Sequence, residues 1–318
     1  MDRRKFLLGL SACACCGASR AQEISVRDRS FRSPAEFLQS GLRCGTPEPT
    51  LQARQAIGTA ARIANSRGLN AGTVEIPVHF HVIHDGDHAK IAESHIDNQI
   101  EVLNGAFAPA NISFSKSSVG FHDKPQWVNL EPRSHPLAPS EEPAMKSELG
   151  KDVLRSLNFY TVDCQLLGWA TFPWELATDR DMDGVVIRFD SLPGVSATGP
   201  YNLGHTGSHE VGHWLGLFHT FQGGCEEPGD MVFDTPAEAT PGDICELQRD
   251  SCTALSGSDP VENYMDYSID SCMTQFSAQQ ISRMQALIPL FRTTLLRGAT
   301  ASAPASIRRE ILTELGIR

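Results

Sequence analysis

The stretch HEVGHWLGLFHTF constrains this chain more than any other part of its sequence. His209 and His213 are four residues apart, so on an α-helix their imidazole rings share a face and can reach one metal ion. Glu210 is placed to contact a metal-bound water rather than the metal. Gly216 can adopt a positive φ that ends the helix, so that His219 arrives from the turn as a third ligand. Three nitrogens leave the fourth position of a zinc ion for water, as in catalytic zinc sites.

The apolar patterns predict a mixed α/β layer before these histidines and a helix well after them. Apolar side chains alternate over residues 74–82, which predicts a half-buried strand, and helical spacing follows over 91–103. Further strands are predicted in ISFSKSSVGF, SLNFYTVDC, LLGWATFPWE and GVVIRFDSLPG. A long irregular region leads to residues 281–291, which again have helical spacing. We therefore predict an α+β fold.

Residues 1–21 have the features of a secretory signal. Arg3 and Arg4 precede an apolar run and then small residues, and the paired arginines are similar to a twin-arginine signal. LSAC also resembles a lipoprotein cleavage box, which would attach a lipid at Cys13; cleavage near Ala21 is the alternative. No later stretch has the roughly 18 apolar residues that a membrane span needs. We expect a secreted or periplasmic protein of bacterial origin.

Charge and cysteine content narrow the classes of protein further. The formal net charge of −11 argues against a nucleic-acid partner, because phosphate binding requires clustered Lys and Arg. Four cysteines near the C-terminal end predict two disulfides in an oxidising compartment, and spacing allows any of three pairings. These four are Cys225, Cys245, Cys252 and Cys272. Cys44 and Cys164 lie apart, either as free thiols or bonded to each other.

The pattern His-Glu-x-x-His-x-x-Gly-x-x-His resembles that of the metzincin metalloproteases, whose second signature is a methionine turn. Met265 in NYMDYS would form the apolar floor below the metal, and Tyr267 would point its hydroxyl toward the site. Met273 is the other candidate, but no tyrosine stands two positions after it. DTPAEATPGDIC, NYMDYSIDSCMTQFS, LLGWATFP and GVVIRFDSLPG are similar to the ulilysin-like (cytophagalysin) branch of the pappalysin family, over about residues 74–296.

This resemblance implies a zincin-like fold with a horizontal active-site cleft. An upper mixed α/β subdomain at about 71–216 would face a lower, irregular subdomain with a C-terminal helix at about 217–318. The resemblance also implies the disulfides Cys225–Cys252 and Cys245–Cys272.

A structural calcium ion is a further implication. Asp230, Asp234 and Thr235 lie in the loop where ulilysin-like enzymes hold Ca²⁺, and oxygen ligands suit this hard cation. Relatives that prefer Arg or Lys on the primed side have an acidic residue immediately before the last cysteine of the cluster. This chain has Ser271 there and Asp270 one position earlier, so basic specificity is not predicted.

The strand in LLGWATFP would form the upper rim of the cleft. An extended substrate can add to such a strand through backbone hydrogen bonds. The rim residues would be Gly168, Trp169 and Ala170. We therefore expect protein or peptide substrates.

Residues 22–70 are polar, and we interpret them as a pro-segment preceding a catalytic domain at 71–318. Pappalysin-like zymogens place a pro-segment cysteine on the zinc, and RCGT around Cys44 resembles theirs. A metal-bound thiolate would displace the catalytic water and keep the enzyme latent. The alternative is a spare thiol or a bond to Cys164. Activation is expected near Arg62 to Arg67.

The expected activity is zinc-dependent hydrolysis of peptide bonds. Zn²⁺ lowers the pKa of its bound water toward neutrality, and Glu210 takes the proton as general base. Tyr267 is expected to donate a hydrogen bond to the tetrahedral oxyanion. The alternative is a non-catalytic extracellular binding module stabilised by zinc and calcium, although nothing in the motifs indicates lost activity.

Overall fold

The computed structural model describes residues 23–27, 29–134, 140–195, 199–226, 228–296 and 305–314. The predicted signal at 1–21, including Cys13, lies outside the described residues. The strands are β1 (Ile24–Val26), β2 (Arg29–Phe31), β3 (Val74–His84), β4 (Ile112–Asp123), β5 (Leu157–Val162), β6 (Gly168–Ala170) and β7 (Val185–Arg188). The α-helices are α1 (Pro34–Gln39), α2 (Leu51–Ser66), α3 (Glu93–Phe107), α4 (Pro125–Val128), α5 (Glu142–Leu149), α6 (His205–Trp214), α7 (Ala278–Phe291) and α8 (Ala305–Glu314). In this described part, no helix combines the length and the apolar content needed to cross a membrane.

A five-stranded sheet in the order β4-β3-β5-β7-β6 forms the upper part of the molecule. Neighbouring strands run parallel except β6, which pairs antiparallel with β7 at one edge. The predicted mixed α/β layer is confirmed, and each strand predicted for it is present. The short β1–β2 hairpin was not predicted, because three-residue strands carry too little alternation to detect.

The main core lies between this sheet and the helices α3 and α6. Phe80 and Phe159 stack at 4.8 Å between ring centroids, and Ile100, Val211 and Trp214 pack in the same buried cluster. Helix α6 contacts both β6 and β7. The apolar face of α6 therefore fixes the histidine motif directly beside the edge strand of the sheet.

The lower part of the molecule is largely irregular, as the resemblance implied. From residue 215 to 277 the described chain forms no helix or strand beyond an isolated bridge. Disulfides Cys225–Cys252 and Cys245–Cys272 cross-link it, in the implied pairing. Cys44 and Cys164 are both free, so the alternative bond between them is absent.

Residues 23–66 pack along the rest of the chain. The hairpin and α1 share a buried cluster with Leu167 and Tyr201. Helix α2 lies against α7, and its residues Ile57 and Ala61 belong to an apolar cluster with Phe218. The connecting residues 42–46 lie beside β6. The predicted pro-segment thus contacts the cleft and, separately, the surface of α7.

A buried ion pair fixes the C-terminal end of α6. Arg292 donates to both carboxylate oxygens of Asp183, at 2.8 and 3.1 Å, and Trp214 Nε1 donates to the same carboxylate at 3.0 Å. The Arg292 guanidinium also lies 3.6 Å from the centre of the Trp214 ring. Asp183 and Arg292 are 1% and 2% exposed, so neither charge has water as an alternative partner.

Asp183→Ala should lower the free energy of unfolding by roughly 3–5 kcal/mol, because it leaves a buried guanidinium unpaired. Urea denaturation followed by fluorescence measures this change. Glu148→Ala is the matched control: Glu148 forms an exposed ion pair with Lys124, so its loss should cost at most about 1 kcal/mol. Equal effects of the two substitutions would contradict the assignment.

Candidate metal centre and cleft

Helix α6 and the turn after it bring the three motif histidines together. His209 and His213 are buried one turn apart on the helix, and Gly216 follows with φ +99°. A Cβ at Gly216 would lie 2.4 Å from Leu287 Cδ1, so only glycine fits this turn. The chain then brings His219, also buried, back beside the helix.

The three imidazoles face one another through their Nε2 atoms. His213 Nε2 lies 3.2 Å from His209 Nε2 and 3.0 Å from His219 Nε2. The Nδ1 atoms of His209 and His213 contact the carbonyls of Tyr264 and Leu217 at 2.7 and 2.9 Å, so they carry the protons. Lone pairs on Nε2 therefore converge, and tetrahedral zinc would hold such nitrogens about 3.3 Å apart. The residues fit a zinc ion.

Cys44 supplies a fourth atom to this group. Its Sγ lies 3.8 Å from His213 Nε2, and the ligand atoms of Cys44 and the three histidines all lie within 4.8 Å of one another. Across the described ranges, no other group of three or more His, Cys, Asp or Glu side chains meets this criterion. The thiol thus occupies the side of the site that the histidines leave open.

Glu210 lies beside the same centre and is fully buried. Burial raises its pKa to about 7, against the opposing effects of Arg43, Cys44 and Thr46. Its Oε2 accepts a hydrogen bond from Thr46 Oγ1 at 3.0 Å. A Cβ at Gly168 would lie 2.9 Å from Glu210 Cγ, so glycine in β6 lets the rim strand approach this carboxylate.

Met265 and Tyr267 both lie beside the histidine motif. A Cβ at Gly212 would be 2.4 Å from Met265 Sδ, so the sulfur packs directly under α6. Tyr267 Oη lies 3.2 Å from His219 Nε2. Met273, the other candidate, is also buried in the core, but the contact below the histidine helix belongs to Met265.

The free edge of strand β6 is paired with residues 42–46, which belong to the predicted pro-segment. Leu167 N donates to Leu42 O at 3.0 Å, and Gly45 N donates to Gly168 O at 2.8 Å. Residues 42–46 therefore run in the same direction as β6. The Trp169 side chain is held by its Nε1, which donates to the buried Glu142 carboxylate at 2.8 Å.

Arg43 is a functional candidate that the sequence did not reveal. Its guanidinium is fully buried, lies 5.1 Å from the Tyr201 ring centre and 5.7 Å from that of Tyr267, and has no hydrogen-bond partner for Nε, Nη1 or Nη2. The nearby Asp270 accepts from the backbone N–H of Leu203 at 2.8 Å through Oδ2, whereas its buried Oδ1 has no partner.

The electrostatics of Asp270 indicate that Arg43 acts on it. Burial raises the pKa of this carboxyl to about 6, and Arg43 is the strongest of the influences that lower it. The carboxylate is therefore largely ionised at neutral pH. A buried cation without hydrogen-bond partners and a buried carboxylate oxygen without one thus lie close enough for their charges to interact.

The three residues predicted to bind calcium have different hydrogen-bond partners in this structure. Thr235 Oγ1 donates to both oxygens of Asp230, at 3.0 and 2.9 Å. Asp234 instead accepts from Ser277 Oγ at 2.7 Å and from Gln279 N at 2.8 Å, at the start of α7. Asp234 therefore stabilises a helix N-terminus, because a carboxylate there satisfies otherwise unpaired N–H groups.

Taken together, the fold and this site define a metzincin-type metalloprotease. Residues 166–289 match the Peptidase_M43 family, described as pregnancy-associated plasma protein-A. An extracellular metalloprotease of Verticillium alfalfae is 38% identical over 264 residues, which cover 78% of this chain and 89% of the relative. The chain belongs to the M43, or pappalysin, family and is a metalloendopeptidase, so the recognition and the enzyme class are confirmed.

Two solved structures are also similar. Mature mirolysin of Tannerella forsythia with a cleaved peptide is 29% identical with a TM-score of 0.60, covering 73% of this chain and 99% of that one. A promirolysin mutant is 27% identical with a TM-score of 0.65, covering 86% and 98%. The curated relatives named as extracellular metalloproteases are fungal, so our expectation of a bacterial source is not supported.

Gly168→Ala should reduce proteolysis at least about tenfold without loss of bound metal, because the new methyl group must displace Glu210 or the rim strand. Peptidase assays and metal analysis by mass spectrometry measure the two effects. Gly105→Ala is the control, since a Cβ there meets nothing within 4 Å. A fully active Gly168→Ala enzyme would show that the close approach is not required.

Proposed function

We propose that the chain is an exported zinc endopeptidase, made as a latent precursor, in which Glu210 is the general base. The observation that carries this proposal is the convergence of three buried Nε2 atoms beside a buried carboxylate. Zn²⁺ bound to His209, His213 and His219 supplies a Lewis acid and an acidified water. That site is fitted to zinc by its nitrogen ligands and its open fourth position.

The side chains around the metal have separate roles in this proposal. Glu210 takes a proton from the attacking water and returns it to the leaving amine, since its carboxylate lies beside the three histidines. Tyr267 donates a hydrogen bond from its hydroxyl to the developing oxyanion and keeps its proton, since its Oη already lies beside the third histidine. The backbone of β6 binds the substrate as an added strand once residues 42–46 have left it.

Glu210→Ala should retain zinc and lose nearly all proteolysis, because the proton acceptor is removed while the three ligands remain. Casein hydrolysis and the zinc-to-protein ratio of the processed enzyme test this. Glu101→Ala, an exposed position on α3, is the control and should keep full activity. Full activity of Glu210→Ala would refute the mechanism.

We also propose that the pocket containing Arg43 accepts a basic side chain of the substrate on the primed side. This revises the expectation drawn from Ser271: Asp270 has one oxygen anchored by backbone N–H and the other unpaired in the pocket. A substrate Arg or Lys could take the place of Arg43 and complete that pairing. Unpaired charge in a buried pocket discriminates strongly between side chains.

Asp270→Asn should lower kcat/KM for substrates with Arg at this position roughly tenfold or more relative to Leu, since it removes the charge but keeps an acceptor for the backbone. Profiling with a peptide library measures the preference. Ser271→Ala, one residue on, should leave the preference unchanged. The reverse result would assign specificity to Ser271.

Latency is proposed to depend on Cys44. The support is the position of its Sγ at the open side of the histidine cluster and the similarity to a promirolysin structure. Activation would remove residues 22–70, after the predicted signal at 1–21 has been cleaved. Arg62 lies inside α2, whereas Arg67 ends it and precedes exposed Gly68 at φ +71°. The bond after Arg67 is therefore the more accessible site within the expected boundary.

Cys44→Ala should yield a precursor with measurable peptidase activity before processing, because water can then reach the fourth position of the metal. A quenched peptide assay combined with gel analysis of the unprocessed band tests this. Cys164→Ala is the control, since that buried thiol donates to Leu166 O, away from the metal centre. An equally latent Cys44→Ala precursor would remove Cys44 from the proposal.

The remaining proposals concern export and calcium. Cleavage near Ala21 and lipid attachment at Cys13 predict different N-termini of the exported protein. N-terminal sequencing distinguishes the two. A structural Ca²⁺ would be held by oxygens of Asp230, Asp234 and Thr235, and the hydrogen bonds of Asp234 to the start of α7 would then tie the ion to that helix. The acidic net charge argues against nucleic-acid partners.

A further inference from the structure

Thr46, two residues after Cys44, contacts groups on both sides of the candidate active site. Its side chain is buried, its hydroxyl donates to Glu210 Oε2 at 3.0 Å, and it accepts from Ala170 N at 2.9 Å. Its own backbone N–H donates to Cys44 Sγ at 3.4 Å. One residue thus contacts the carboxylate, the rim strand and the thiol.

The two partners of the Thr46 hydroxyl are groups that peptide hydrolysis needs free. Glu210 must accept a proton, and the N–H of Ala170 belongs to the edge strand that would pair with a substrate backbone. A hydroxyl can satisfy both at once, since it is a donor and an acceptor. The thiol of Cys44 also donates to Glu210 Oε2, at 3.6 Å, but the N–H of Ala170 donates to Thr46 and not to the thiol, so only the Thr46 hydroxyl holds both groups.

The backbone next to Thr46 is shaped for this contact. A Cβ at Gly45 would lie 2.7 Å from Leu166 Cδ1 and 3.3 Å from Pro132 Cγ, so glycine lets the pro-segment lie flat on the rim. Gly45 N then donates to Gly168 O at 2.8 Å and sets the register of the next residue. The Thr46 side chain is thereby directed between β6 and Glu210.

We propose that Thr46 is a second inhibitory contact of the pro-segment, which blocks the general base and the rim strand independently of the thiol on the metal. This inference rests on the proposed function. Latency then has two parts. Cys44 closes the open side of the histidine cluster, and the Thr46 hydroxyl holds both the Glu210 carboxylate and the N–H of Ala170 in hydrogen bonds. Loss of one part should leave the other in place.

The test uses the full-length precursor with Cys44→Ala as background. Adding Thr46→Val removes both hydroxyl bonds at nearly constant shape, whereas Thr46→Ser keeps them. Hydrolysis of a quenched peptide before processing should rise about tenfold for Cys44→Ala/Thr46→Val over Cys44→Ala alone, the effect of losing one to two hydrogen bonds. The Cys44→Ala/Thr46→Ser precursor should stay at the Cys44→Ala rate.

Amide hydrogen exchange gives a second readout that does not depend on activity. In Thr46→Val with Cys44 intact, the amide of Ala170 should exchange at least about tenfold faster, because its acceptor is lost. Amides in the centre of β3 should not change, which separates this effect from unfolding. Thr46→Ser should exchange like the unmodified chain.

Each result bears on the inference. Equal hydrolysis by the Val and Ser precursors would overturn it even if exchange at Ala170 differs, since the contact would then not inhibit. Unchanged exchange at Ala170 in Thr46→Val would overturn it as well. If no processed variant hydrolyses peptides, the proposed function fails. Faster exchange at Ala170 in Thr46→Val would still show, in that case, that Thr46 makes the contact.

Discussion

The site depends on three buried imidazole nitrogens that are held close enough together to bind one cation. The Nε2 atoms of His209, His213 and His219 lie 3.0–3.2 Å apart, and carbonyl partners fix the protons of the first two rings on the opposite nitrogens. Burial lowers the pKa of all three imidazoles, so a proton is a poor substitute for a metal ion. Helix α6, the turn at Gly216 and Met265 below the helix hold the rings in place against the repulsion between the Nε2 lone pairs of His209 and His213.

Three glycines make this arrangement possible by close approach rather than by flexibility alone. Gly212 admits the Met265 sulfur under the helix, Gly216 turns the chain against Leu287, and Gly168 brings the rim strand onto Glu210. Each would place a Cβ within 3 Å of a neighbouring atom. The metal centre, its floor and the substrate-binding edge are therefore packed as one unit, and a change at any of them is transmitted to the others.

The segment that we propose to be a pro-segment packs against the same unit. Its residues 42–46 pair with β6, the Arg43 guanidinium lies 5.7 Å from the Tyr267 ring centre, and Cys44 lies beside the histidines. The segment thus contributes backbone hydrogen bonds, the buried charge of Arg43 and the potential metal-ligand atom of Cys44. Residues 42–46 run in the same direction as β6 and cover its free edge.

The candidate metal centre follows from local sequence, whereas the residues that surround it are brought together only by the tertiary structure. The spacing of His209, Glu210 and His213 and the glycine after them predicted the metal centre, because residues within two helical turns have fixed relative positions. Long alternating segments predicted the sheet for the same reason. Roles of Arg43, Thr46 and Asp270 could not be read in this way, since each depends on contacts between parts of the chain remote in sequence. The same holds for the choice among three disulfide pairings: folding, rather than spacing, decides which side chains are neighbours.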